Sequence, residues 1–195
     1  MFDEYVRIYD DFLSPENLEI CVELCSQATA LAAVGSERAV KGDIRRAFVE
    51  DFDLENEETL EKNNKIASCF WEQTKKYIEV IKFSEERWNE NWDSNFRLEP
   101  LSFLRYPGGC FYTYHSDGPF LYHCSTLTMR QLSYVLFVND EYSGGHLHFP
   151  AEDRTITPRE NRLVLFPSNW CFGHQVKPVI KGVKKSVVTW GGPQL

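Results

Sequence analysis

The feature that most constrains this chain is a change of period near Phe96. Before it, apolar residues recur at three and four; after it, they alternate. Leu18, Cys21, Val22, Cys25 and Ala28 form one helical stripe, and Leu60, Ala67, Phe70, Trp71, Thr74, Tyr77, Ile78 and Ile81 form a second. Asp11-Phe12-Leu13-Ser14-Pro15-Glu16 supplies a serine cap, a proline for the first turn and an acid, which predicts a helix from about Ser14 to Ala32. A second helix is predicted from about Glu57 to Lys82. From Phe96 onward, Phe96–Tyr106, Gln131–Asn139, His146–Phe149, Arg162–Phe166 and Val183–Trp190 read as strands, punctuated by Gly, Pro, Asn or Ser, and Val6–Tyr9 reads as a short strand at the start. Two helices ahead of a mostly antiparallel sheet predict an α+β domain with helices covering one side of a rolled-up sheet.

The chain has 195 residues, enough to bury roughly 70% of the surface its unfolded form exposes. It shows no repeat, low-complexity segment or Gly/Ser-rich linker, so one domain over 1–195 is expected, with helical support at about 14–83 and a β core at about 96–191. Net charge is −8, and seven acids fall between Glu50 and Glu61 without a Lys or Arg, a poor surface for duplex nucleic acid. That run reads as a solvated loop entering a helix. Six cysteines lack C-x-x-C or zinc-finger spacing and read as buried, reduced thiols. Met1–Asp10 has three acids and no apolar h-region, and no long apolar run follows; an intracellular, cytoplasmic protein without a membrane segment is expected.

Within Tyr112-Thr113-Tyr114-His115-Ser116-Asp117-Gly118, residues two apart in an extended chain project from one face, so His115 and Asp117 can reach one metal ion. A lone H-x-D is common by chance and needs a third ligand. His174, after the strand ending Leu163-Val164-Leu165-Phe166-Pro167, is that candidate. Two histidines and one carboxylate leave three adjacent positions on an iron open for a chelating co-substrate and O2. His123 follows a Gly-Pro turn and reads as a surface residue. His146 and His148, with Glu152, hint at a cupin site, but its flanking glycines are misplaced and no second half follows.

Lys184, ten residues past His174, offers a cation inside the sheet, and Ser186 points the same way. A lysine beside Lys181 and Lys185 is ordinarily a surface residue; its spacing from His174 argues otherwise. A charge-assisted bond with a hydroxyl beside it suits the distal carboxylate of 2-oxoglutarate.

Tyr106-Pro107-Gly108-Gly109, His115-x-Asp117, Ser143-Gly144-Gly145-x-Leu147-x-Phe149-Pro150 and His174-x-Val176-x-Pro178-Val179-x-x-Gly182-x-Lys184 together resemble the prolyl 4-hydroxylase branch of the Fe(II)/2-oxoglutarate oxygenases. The resemblance spans about Leu98–Trp190, and Val6–Ala28 resembles that branch's first strand and helix. It implies a double-stranded β-helix (jelly-roll) core with the N-terminal helices packed on one sheet. Iron would be bound by His115, Asp117 and His174, and 2-oxoglutarate by Lys184 with Ser186 and Tyr106. Phe137 departs from a tyrosine that some relatives use to hydrogen-bond the co-substrate. Tyr112, Arg130 and Trp190 match substrate-facing positions. The implied reaction uses Fe(II), 2-oxoglutarate and O2, with ascorbate as an accessory reductant, and hydroxylates a proline in a peptide or protein, releasing succinate and CO2. The loop between Gly118 and Thr128 would form a lid. Rival readings keep the cofactors but take a free amino acid or other small molecule, or make the chain a non-catalytic binding module; the complete ligand set speaks against the last.

Overall fold

The computed structural model describes residues 2–33, 39–50, 57–80, 96–118 and 129–193. Its helices are α1 (Phe2–Tyr5), α2 (Pro15–Gln27) and α3 (Glu57–Val80). Its strands are β1 (Arg7–Tyr9), β2 (Ala30–Leu31), β3 (Arg45–Arg46), β4 (Phe48–Glu50), β5 (Phe96–Leu98), β6 (Ser102–Pro107), β7 (Phe111–His115), β8 (Leu132–Phe137), β9 (Ser143–Gly144), β10 (Leu147–Phe149), β11 (Arg154–Ile156), β12 (Arg162–Pro167), β13 (His174–Val176), β14 (Val179–Lys181) and β15 (Val183–Pro193).

The Ser14 hydroxyl accepts from the Asn17 amide, and Pro15 opens α2 as expected. The helix stops at Gln27 rather than near Ala32, because Ala28 turns to ψ 114° and Ala30–Leu31 pair as β2 with Val49–Phe48. Sheet hydrogen bonds thus take over the end of a helical pattern. In α3 the buried line is Asn63, Ile66, Phe70, Thr74 and Tyr77; Leu60, expected on that face, is exposed, while Ile81 and Lys82 fall outside the described residues. The acids Glu57 and Glu58 sit in the first turn of α3, where they suit the helix dipole. Glu99-Pro100 splits the expected Phe96–Tyr106 strand into β5 and β6.

An eight-stranded sheet runs β1-β12-β8-β15-β6-β4-β2, with β5 also on β15. A five-stranded sheet runs β11-β10-β13-β7-β3, and β14 pairs with β9. The pairings are antiparallel. Alternation along β8 divides the interior in two. Leu132, Tyr134 and Leu136 pack with Leu24, Ile66, Phe70 and Tyr77 under α2 and α3. Val135 and Phe137 face the other way, joining Val164 and Phe166 of their own sheet and Leu147, Phe149 and Ile156 of the smaller one. The helices therefore cover one face of the large sheet, and the opposite face meets the second sheet.

Of the cysteines, Cys21, Cys25 and Cys110 are buried; Cys171 is exposed and Cys69 half-buried, which corrects the expectation that all are buried. Cys124 lies outside the described residues. Among the described residues no helix is long and apolar enough to cross a membrane.

Candidate functional site

Antiparallel pairing of β7 with β13 makes His115 and His174 direct register partners, although they stand far apart in the chain. Asp117 follows two residues after His115 and is buried. His115 Nε2 lies 3.6 Å from Asp117 Oδ1, and His174 Nε2 lies 3.5 Å from Asp117 Oδ2. The three candidate ligand atoms all fall within 4.8 Å of one another. Each imidazole is oriented by a carbonyl two residues before it. His115 Nδ1 is 2.8 Å from Thr113 O, and His174 Nδ1 is 3.0 Å from Phe172 O. A carbonyl only accepts, so Nδ1 carries the proton and the Nε2 lone pair faces the cluster, as a metal ligand must.

Burial holds His174 down to about 4 despite the pull of Asp117, so its ring is neutral at pH 7. Burial by itself would raise the Asp117 carboxyl, but any positive charge on His174 or His115 and a hydrogen bond from Ser133 act the other way and lower it. The Ser133 hydroxyl donates to Asp117 Oδ2 at 2.7 Å and stands 2.8 Å from the Ser168 hydroxyl. Two imidazoles and one carboxylate converge here, the mixed donor set that suits an iron(II) ion with open positions. Among the described residues this is the one such group of three. His148 instead bonds Arg154 O and Thr155 Oγ1, and His123 lies outside the described residues.

His115, Asp117 and His174 line a cavity that opens to solvent. Alternation along β15 sends Lys184, Ser186 and Trp190 into it, and Tyr106 and Tyr112 join from β6 and β7. Lys184 is 1% exposed, which settles the choice against a surface lysine. Its ammonium donates to Gly145 O at 2.8 Å and sits 4.5 Å from the Phe137 ring centroid and 5.7 Å from that of Tyr106. Phe137 thus offers the cation a π face. Burial lowers Lys184 to about 7, and no carboxylate among the described residues pairs with it. A buried cation without an anion is what a carboxylate-bearing co-substrate would complete. Gly145, at φ +63°, makes this close packing feasible: a Cβ there would lie 3.2 Å from Lys184 Cδ and 3.0 Å from Val179 Cγ2.

The structure does not place Arg130 on the cavity wall. Its guanidinium makes a bidentate pair with Glu99, both bonds 2.6 Å, and lies 3.7 Å from the Trp190 ring centroid. It therefore reaches the site through Trp190. The expected lid residues 119–128 lie outside the described residues.

Two groups escaped the sequence reading. Ser133 sits in a strand pattern that marks it as one polar residue among apolar neighbours, and only the fold sets it against Asp117. Arg45 lines the cavity with its guanidinium 4.7 Å from the Tyr112 ring centroid. It lies in a stretch without clear period, held as β3 by pairing with Tyr112.

Residues 101–191 match the profile of the 2OG-Fe(II) oxygenase superfamily. No curated protein matches by sequence. Among solved structures, a Trichoplax adhaerens prolyl hydroxylase, solved with a hypoxia inducible factor oxygen degradation domain peptide fragment, superposes with a TM-score of 0.71 at 18% identity, covering 98% of this chain and 84% of that one. The viral collagen prolyl hydroxylase of Paramecium Bursaria Chlorella virus-1, in its 2OG complex, gives 0.63 at 19% identity, covering 96% and 95%. A Pseudomonas putida prolyl-4-hydroxylase gives 0.62 at 20% identity, covering 96% and 92%. The cofactors are accordingly Fe(II) and 2-oxoglutarate, with O2. By its family match over 101–191 and its His-Asp-His cluster, the chain resembles the 2OG-Fe(II) oxygenase superfamily, and its fold is like that of prolyl hydroxylases.

Proposed function

We propose that this protein is an Fe(II)- and 2-oxoglutarate-dependent dioxygenase that hydroxylates a peptidyl proline, releasing succinate and CO2. The observation that carries it is one cavity holding both a His115, Asp117, His174 cluster and the buried Lys184, which has no carboxylate partner among the described residues. His115, Asp117 and His174 would hold the iron. Lys184, with Ser186 and Tyr106 beside it, would take the distal carboxylate of 2-oxoglutarate. When bound, iron and co-substrate supply the oxidising power for inserting oxygen into a C–H bond. The chain orients the ligand lone pairs through Thr113 and Phe172, and it walls the cavity with apolar side chains such as Leu147, Val176 and Val188. Tyr112 and Trp190 supply flat surfaces suited to an uncharged ring, with Arg130 bracing Trp190 from behind. We read the two sheets as a double-stranded β-helix and 1–195 as one catalytic domain.

The test is mass spectrometry on proline-containing peptides incubated with Fe(II), 2-oxoglutarate and O2, with ascorbate as reductant. A gain of one oxygen, placed on proline by fragmentation, is expected. Arg130→Ala should damage peptide hydroxylation far more than peptide-independent 2-oxoglutarate turnover, because it acts at the substrate side. Efficient hydroxylation of a free amino acid, with none of any proline peptide, would overturn the prolyl reading and leave the cofactor assignment standing.

A further inference from the structure

Several arginines of the fold are ion-paired. Arg130 is neutralised by Glu99, Arg154 by Asp3, and Arg159 and Arg162 by Asp10. No carboxylate among the described residues lies within ion-pair distance of Arg45. Its Nη1 donates to Ala33 O at 3.2 Å, and among the described residues its buried Nε–H has no acceptor. A buried donor left unmatched is unfavourable, and a guanidinium attracts a planar anion that accepts two bonds at once.

The position is as informative as the missing partner. Arg45 lines the cavity from β3 of the five-stranded sheet, whereas Lys184 enters it from β15 of the eight-stranded sheet. Arg45 shares the Tyr112 ring with His115, which stacks on that ring at 3.6 Å. The cavity's own carboxylate, Asp117, is already engaged by Ser133 and the two histidines. Among the described residues the cavity thus presents two cations and no spare anion. One anion site, at the more deeply buried Lys184, serves the co-substrate in the function proposed above; a second carboxylate is left to match Arg45.

We propose that Arg45 is a specificity-determining residue that binds a carboxylate of the substrate. This rests on the hydroxylase reading given above. The carboxylate comes either from an acidic side chain flanking the reacting residue in a peptide or from the free α-carboxylate of a small substrate. Neutral or basic substrates leave the guanidinium and its Nε–H unmatched and bind more weakly.

The experiment measures binding to protein loaded with Mn(II) and 2-oxoglutarate, read by tryptophan fluorescence since Trp190 lines the cavity, so that turnover is not required. Peptides carrying Glu, Gln or Lys beside a proline are titrated, together with the same series having alanine for proline, and L-proline against prolinamide. The Glu peptide, or L-proline, should bind at least tenfold more tightly than its uncharged counterpart. That preference should vanish in Arg45→Gln, invert toward Lys peptides in Arg45→Glu, and persist in Arg46→Gln, whose side chain is exposed. Preference in the peptide series identifies an acidic flank; preference confined to L-proline identifies an α-carboxylate. If the alanine series shows the same Arg45-dependent preference and no proline is oxidised, the prolyl reading falls and the Arg45 site stands. The proposal is overturned if no ligand binds, if charge makes no difference, if the preference survives Arg45→Gln, or if Arg45→Gln weakens only 2-oxoglutarate.

Discussion

The ring of Tyr112 is stacked on that of His115, with centroids 3.6 Å apart and planes 16° from parallel. A residue expected to face substrate therefore also braces a candidate metal ligand. Aromatic stacking contributes roughly 0.5–1.5 kcal/mol, so Tyr112→Ala should lower Mn(II) affinity about two- to tenfold. Tyr112→Phe should keep the affinity, because the stack needs the ring and not the hydroxyl. Equal losses in both variants, read by Mn(II) titration, would show that the hydroxyl matters instead.

Replacing His115, Asp117 or His174 by Ala should each abolish succinate release while leaving the fold intact. In the function proposed here the three serve an open catalytic site rather than a structural ion, and the clusters beneath the helices and between the sheets are formed largely without them. Circular dichroism and succinate release are measured on the same samples. Full activity in the His174 variant would sink the metal assignment, and unfolding of all three would point to a structural ion.

Ser133→Ala removes the donor to Asp117 Oδ2 and leaves that oxygen free to rotate or to bind a metal through both oxygens. Losing such an orienting partner typically costs 10–100-fold in metal affinity. Ser168→Ala should cost less, since it touches the carboxylate only through Ser133. An unchanged Mn(II) affinity in Ser133→Ala, measured by electron paramagnetic resonance, would remove Ser133 from this role.

Lys184→Ala should weaken 2-oxoglutarate binding by roughly 2–5 kcal/mol, the cost of stripping one partner from a buried charge pair, and Lys185→Ala should do little. The reverse ranking would place Lys185 in the cavity and shift the β15 register by one.

The same lysine predicts a pH dependence. Burial lowers its value to about 7, so in the free protein the ammonium is lost as pH rises through 7. A bound carboxylate favours the ammonium and raises that value. Between the two values, binding takes up a proton, and Kd should rise about tenfold per pH unit above 7. For the free protein the sign is opposite: burying the charge is unfavourable below pH 7, and this is relieved as pH climbs toward the unfolded-state value. Calorimetry in buffers of different ionisation enthalpy reports the proton directly. A Kd constant from pH 6.5 to 8.5 would contradict the assignment.

Local pattern was enough to place much of this molecule. The Ser14-Pro15 start of α2, the helical period through Tyr77 and the alternation of β8, β12 and β15 are properties of neighbouring residues, and they survive into the fold because each buries a coherent face. The spacing of His115 and Asp117, and the parity of Lys184 and Ser186 on one strand, were legible for the same reason. Tertiary structure decided what depends on partners distant in sequence. The β7–β13 register brings His174 opposite His115, and pairing with β4 ends α2 at Gln27. Glu99 claims the guanidinium of Arg130 and turns it toward Trp190. Ser133 showed only as a polar residue in an apolar strand and Arg45 had no local signal, because a hydroxyl in a strand or an arginine in an irregular stretch acquires meaning only from the group that the fold sets against it, Asp117 in one case and Tyr112 in the other.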